Sequence, residues 1–306
     1  MDDKKYDDII TYDTPAYKPR KKRFGDRREG RRIRTIQPTS VVVPFIMRTR
    51  ADSQNHFEDV IDITNIENFL DKKHAEGYTD MTLLHVILAA YVRVVSERPW
   101  INRFIAGQRV FARNAIECVM PIKKEMSLLA HDTNIKVKFD PRDNIYNVYK
   151  KFQKVAHDAM QNSTGFDNTA KTLKKLPRFV NRIVFAVLRF LDYYGRLPKG
   201  LLEVSSFHGS MIITSMGSLG VPAIYHHLYD FGTLPLFFSY GNIFTADAIK
   251  RDGTRERHHF VTLKAVMDER ICDGFYYASC FKKLKRYLLH PELLDQSPEK
   301  VVEDLD

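Results

Sequence analysis

Two carboxylates four residues apart, Glu269 and Asp273, stand in the stretch VMDERICDGFYYASCFKKL with an arginine and a cysteine between them. Acids in this position, just ahead of a helix, could take and return protons, or could be only structural. Cys272 would act as a nucleophile only where a base or a positive field lowers its thiol, so a buried structural thiol is the simpler reading. His208, His226, His227, His258 and His259 are further proton carriers, each more simply read as a surface or hydrogen-bonded structural histidine. Cys118, Cys272 and Cys280 form no Cys-x-x-Cys pair and have no histidine at zinc spacing, so neither a metal site nor a disulfide framework is expected.

The elements that must position these groups follow from hydrophobic periodicity. DITNIENFLDKKHAEG opens on Thr64 with Glu67 three residues on, a capping-box spacing, and closes at Gly77. DMTLLHVILAAYVRVVSERP carries Leu84, Ile87, Leu88, Tyr91 and Val95 at helical spacing and stops before Pro99, predicting a mostly buried helix. INRFIAGQRVFAR reads as two short strands around Ala106 to Gln108, and IECVMPIKK as a third. DNIYNVYKKFQKVAHDAMQN sets Ile145, Val148, Tyr149, Phe152 and Val155 on one helical face. RFVNRIVFAVLRFLDYY, residues 178 to 194, is expected to pack under neighbouring elements, with a membrane-surface helix as the alternative. Arg182, Arg189 and Asp192 argue against its spanning a bilayer. GSMIITSM, TLPLFFSYGNI and HHFVTLKAVMD read as strands before a closing helix that begins at DGFYYASC. Helices and strands interleave, which predicts an α/β or α+β class with a mixed sheet.

Lys and Arg number 48 against 38 Asp and Glu, a net charge of +10. Ten of the basic residues fall between Lys18 and Arg34, so residues 1–33 read as a basic, extended arm and 34–306 as one domain. An arm of this kind suits an anionic partner, nucleic acid or a membrane surface, although a solvated tail is the plainer reading. The acidic start MDDKKYDDII has no apolar run of the secretory type, so a cytoplasmic location is expected.

Taken in order, the motifs resemble the catalytic domain shared by chloramphenicol acetyltransferase and the dihydrolipoyl acyltransferases of the 2-oxoacid dehydrogenase complexes. That family carries Asp-His-Arg-x-x-Asp-Gly, or His-His-Ala-x-Cys-Asp-Gly-Phe, on the strand leading into its last helix. DERICDGF is its counterpart here. GSMIITSMGSLG, residues 209 to 220, is similar to the family's Gly-Thr-Phe-Thr-Ile-Ser-Asn-x-Gly-x-x-Gly segment. MTLLHVILAAYVRVVSERPWINRF looks like the helix ending in Pro-x-x-Asn. The resemblance runs from about residue 34 to 295, and one departure stands out: the family's catalytic histidine is Glu269 in this chain.

The resemblance implies a two-layer α+β sandwich with a mixed sheet, assembled as a homotrimer. It also implies transfer of an acyl group from acyl-CoA to a thiol or hydroxyl on a small-molecule or carrier-bound acceptor. Thr214 would donate to the oxyanion, and Asp273 would be a structural acid paired with Arg34, Arg48 or Arg50. Ser215, Gly217, Ser239 and Gly241 would lie against coenzyme A. No lipoyl or subunit-binding domain, covalently attached lipoate or metal is expected. A glutamate carboxylate has a reference pKa about four units below that of a thiol, and its charge would oppose a nascent thiolate unless burial raises it. Two readings follow: a modified acyltransferase with Glu269 as base, or a catalytically degenerate homologue with a structural or binding role.

Overall fold

The computed structural model describes residues 20–124, 132–249 and 252–304 of the 306-residue chain. Its strands are β1 (Gly30–Arg32), β2 (Gln54–Asp62), β3 (Arg103–Ala106), β4 (Arg109–Arg113), β5 (Ile116–Lys123), β6 (Asp132–Phe139), β7 (Met211–Ser215), β8 (Leu236–Ile249) and β9 (Arg255–Asp268). Six of them form one sheet in the order β2-β9-β8-β7-β5-β6, in which β7 runs parallel to β5 and β8 while the outer pairs are antiparallel. A small antiparallel sheet, β1-β4-β3, stands beside it. The mixed sheet expected from the interleaving of elements is therefore present.

The helices are α1 (Pro38–Ile46), α2 (Thr64–Ala75), α3 (Leu83–Glu97), α4 (Ile145–Gln161), α5 (Gly165–Lys174), α6 (Arg178–Tyr193), α7 (Lys199–Val204) and α8 (Gly274–Leu289). Every residue of α3 from Leu84 to Ser96 is buried, because α4 and α8 pack on it and its sequence is apolar all round. The core runs from Ile87 and Leu88 through Ile135, Val137 and Ile213 to Leu263 and Phe281.

Several expectations are corrected here. The arm does not extend to residue 33: Gly30–Arg32 is a strand on β4, Ile33 is buried, and the buried Arg27 binds Asp192 of α6. Its first residues, 1–19, lie outside the described residues. The capping box expected at Thr64 and Glu67 does not form. Asp62 Oδ1 accepts the Thr64 N–H at 3.0 Å, and Glu67 instead meets His259 Nδ1 at 2.7 Å. Helix α6 forms as expected, but only one side of it packs inward. Val180, Val184, Leu188 and Leu191 are half-buried, whereas Phe179, Ile183, Val187, Phe190 and Tyr194 face outward, because its apolar arc is wider than its contact with the body. Among the described residues no helix is long and apolar enough to cross a membrane.

A capping box does form at the start of α3, where Thr82 and His85 serve each other and the Thr82 N–H donates to His85 Nδ1 at 3.0 Å. The His85 ring is buried between Tyr149 and Phe152, and burial pushes its pKa down to about 4. In the unfolded chain the same group titrates near 6.5, so its contribution is full above that value and is lost as pH falls from about 6.5 toward 4. The loss is on the order of 3 kcal/mol. Urea midpoints at pH 7 and pH 5 are expected to fall more steeply for the wild type than for His85→Gln. Equal slopes would contradict the assignment.

Candidate functional site

Strand β9 ends at Asp268, and the turn into α8 is built around this side chain. Asp268 is fully buried. Its Oδ1 accepts from the Arg270 N–H at 3.1 Å, from Arg270 Nε at 2.8 Å and from Ser53 Oγ at 3.2 Å, while Oδ2 accepts from Arg270 Nη2 at 2.7 Å. Arg50, also buried, brings Nε within 3.9 Å of Oδ2 and donates its Nη groups to the carbonyls of Tyr229, Asp230 and Ile105. Burial pushes the Arg50 guanidinium down to about 10, against the opposing pull of Asp268. Of the two buried cations around this buried anion, Arg270 is hydrogen-bonded directly to it, whereas Arg50 is held by backbone carbonyls and its Nε makes no hydrogen bond.

That network fixes the residue beside it. The Glu269 N–H donates to the Ser53 carbonyl at 2.8 Å, pinning the turn to the segment before β2. The Glu269 side chain is exposed and lines a cavity of about 520 Å³, whose walls include Gln37, Ser40, Val43 and Met47 of the α1 region and Trp100 and Arg103. Arg103 stacks 4.1 Å from the Trp100 ring and is clamped by Asp304 at 2.6 and 2.7 Å, so one wall of the cavity is rigid. Among the described residues the Glu269 carboxylate has no hydrogen-bond or ion-pair partner.

Asp273 differs from its expected role. It is exposed and caps α8, its Oδ1 accepting the Tyr276 N–H at 2.8 Å, and none of Arg34, Arg48 and Arg50 pairs with it. Arg34 lies near Asp26, and Arg50 belongs to Asp268, because Asp268 is the carboxylate that β9 delivers to the interior. The arginine-paired acid is thus one residue before Glu269 rather than four after it. Cys272 is buried and burial pushes its thiol up, as befits a structural cysteine.

Thr214 lies on β7, opposite Ser239 of β8, and does not line the Glu269 cavity. Its neighbours form a separate, tightly packed cluster. A Cβ on Gly217 would meet the Gly241 carbonyl at 2.5 Å, and one on Gly241 would meet the Ala223 nitrogen at 2.5 Å. Ser239 is buried, accepting the Ile224 N–H at 3.1 Å and donating to the Ile224 carbonyl at 2.6 Å; its hydroxyl holds the loop before β8. Ser215 accepts from the Ser218 N–H at 3.4 Å. Within one protomer, then, the glutamate cavity and the Thr214 cluster are separate.

The histidines are accounted for elsewhere. His208 is buried with Nδ1 2.8 Å from Ser205 Oγ, and its Nε2 lies 3.4 Å from Asp192 Oδ2 without hydrogen-bond geometry. His226 stacks on Phe237 at 4.2 Å beside His227, and His258 pairs with Asp62. None of these lines the Glu269 cavity. Sequence reading missed Asp268, although the Asp-x-Arg spacing of Asp268 and Arg270, which permits a bidentate pair across a turn, was its signal.

No family model and no curated protein matches the sequence. Solved structures do match the fold. A probable dihydrolipoamide acetyltransferase from Listeria monocytogenes aligns with a TM-score of 0.55 at 15% identity, covering 85% of this chain and 95% of that one. The dihydrolipoamide acetyltransferase of Azotobacter vinelandii gives 0.55 at 14% identity over 86% and 93%. A truncated catalytic core of the 2-oxoacid dehydrogenase multienzyme complex of Thermoplasma acidophilum gives 0.51 at 14% identity over 85% and 99%. The chain therefore has the fold of these acyltransferase cores, over nearly their whole length.

Proposed function

We propose that the protein is an acyltransferase that moves an acyl group from acyl-CoA to a thiol or hydroxyl acceptor, with Glu269 as the base. The observation that carries this reading is the Glu269 carboxylate, without a partner among the described residues and presented to a cavity of about 520 Å³ by a turn that Asp268, Arg270, Arg50 and Ser53 hold in place. A serine, a histidine and an asparagine have roles in the catalytic mechanism of the A. vinelandii enzyme. The histidine and asparagine are four positions apart there, as Glu269 and Asp273 are here.

In the proposed reaction the Glu269 carboxylate takes the proton of the acceptor S–H or O–H as the acceptor attacks the thioester carbonyl. The Thr214 hydroxyl donates to the oxyanion that forms. Collapse breaks the carbonyl–sulfur bond, and the departing coenzyme A thiolate recovers the proton from Glu269. Thr214 does not line the Glu269 cavity of its own chain; in the proposed assembly, a homotrimer, the Thr214 of a neighbouring subunit reaches the Glu269 cavity. Exposed apolar residues beside the Thr214 cluster and along the β8–β9 hairpin, among them Leu219, Val221, Ile224, Ile243 and Phe244, supply a surface for a neighbouring subunit to cover. Coenzyme A brings phosphates to a chain of net charge +10.

The exposure of Glu269 favours a second reading, a homologue that keeps the fold without the reaction, because an exposed carboxylate is a poor base for a thiol. Incubation with acetyl-CoA and longer acyl-CoAs, with a dithiol or an alcohol as acceptor, separates the two. Release of free coenzyme A thiol well above the protein-free rate is expected. Absence of binding and of turnover with every acyl-CoA would overturn the proposal.

A further inference from the structure

The segment from α5 through α6 holds a surface that the acyl-transfer reading does not use. The outward residues Phe179, Ile183, Val187, Phe190 and Tyr194 are 66%, 60%, 50%, 63% and 61% exposed, and their spacing of four, four, three and four makes them one stripe along α6. Sixteen residues at about 1.5 Å rise make that stripe roughly 24 Å long. Arg178, Arg182 and Arg189 project along one edge of it, and Lys171, Lys174 and Lys175 of the adjoining α5 and its C-terminus add three more exposed cations.

The charges on this segment are sorted by sign. Between Gly165 and Tyr194 the chain has six cations, all exposed, and two acids, both engaged inward. Asp167 caps the Thr164 N–H and accepts the Thr133 hydroxyl, while Asp192 is buried against Arg27 and beside His208. None of the six cations pairs with a carboxylate among the described residues. A second copy of the chain meeting this face about a twofold axis would set cations against cations. A planar anionic surface with an apolar interior matches both features at once: acyl chains for the stripe and phosphate groups for the arginine edge.

We propose that α6 lies in the interface of an anionic phospholipid membrane, its stripe against the acyl chains and Arg178, Arg182 and Arg189 at the headgroups. Helix α6 is held by Val184, Leu188 and Leu191 on its inner side, so the docked protein keeps its fold and rests on the bilayer without crossing it. This contact differs from the one considered for the basic N-terminal arm, because its cations and stripe all lie between Lys171 and Tyr194.

The test is co-sedimentation of the full chain with phosphatidylcholine vesicles, with and without phosphatidylserine, at low and high salt. Binding to the phosphatidylserine vesicles alone, weakened by salt, is expected. Ile183→Asp with Phe190→Asp, and separately Arg182→Glu with Arg189→Glu, should each lower the bound fraction about tenfold at unchanged melting temperature. The inference is overturned if the full chain ignores both kinds of vesicle, or if binding survives the stripe variant and disappears in Lys21→Glu with Lys22→Glu, two exposed lysines of the arm. It is also overturned if the stripe variant changes the oligomeric mass in solution, which would make another copy, not lipid, the cover of the stripe.

Discussion

Glu269→Gln is expected to lower kcat for acyl transfer about a hundred- to ten-thousandfold, the usual range for removing a general base, while leaving the melting temperature unchanged. Glutamine keeps the length and the hydrogen-bonding capacity of the side chain but has no basic oxygen to receive the acceptor's proton. The Glu269 side chain is exposed and has no partner among the described residues, so stability should move by no more than about 0.5 kcal/mol. The KM for acyl-CoA should change little, since the loss falls on the transition state. If instead the wild-type chain is inert with acyl-CoAs and Glu269→His creates transfer, the natural protein has kept the fold without the reaction.

Asp268→Asn should show the opposite pattern, a large loss of stability. The amide fits the space but leaves the guanidiniums of Arg50 and Arg270 buried without their anion, a change that typically costs about 3–5 kcal/mol. Against a total stability of about 5–15 kcal/mol, such a protein would be marginal. Asp273→Ala removes one helix cap and should cost only about 1 kcal/mol. Urea midpoints measured for both variants decide between the two acids. A larger loss for Asp273 would return the scaffold role to the residue on which the sequence pattern had set it.

Much of the fold could be read from periodicity. The stretch from Leu84 to Ser96 is apolar enough to announce a buried helix, and the strands after Gly209 carry long apolar runs. β6 could have been read too: Ile135, Val137 and Phe139 are buried with Lys136 and Lys138 between them, an alternation of period two, yet short and charged enough to pass for loop. β2 gives less signal, because it is an edge strand with polar residues on most positions, and it acquires its register only from β9. The outward stripe of α6 was not legible, since an apolar arc reads the same whether protein or something else covers it. At the site, the motif order located Glu269 correctly at the turn into the last helix. The resemblance implied an arginine partner for Asp273, but pairing follows which side chain the strand points inward, and β9 turns Asp268 inward.

A mixture of two inactive variants tests most directly whether Glu269 and Thr214 act together. Thr214→Ala should, like Glu269→Gln, lose about two to three powers of ten in kcat as the oxyanion donor disappears. If the two residues meet across a subunit interface, trimers reassembled from equal amounts of the two variants contain intact sites, each with Glu269 from one protomer and Thr214 from its neighbour. Random assortment makes these about a quarter of all sites. Recovery of acyl transfer to about a quarter of the wild-type rate is the predicted result. A mixture no more active than either variant alone would contradict it.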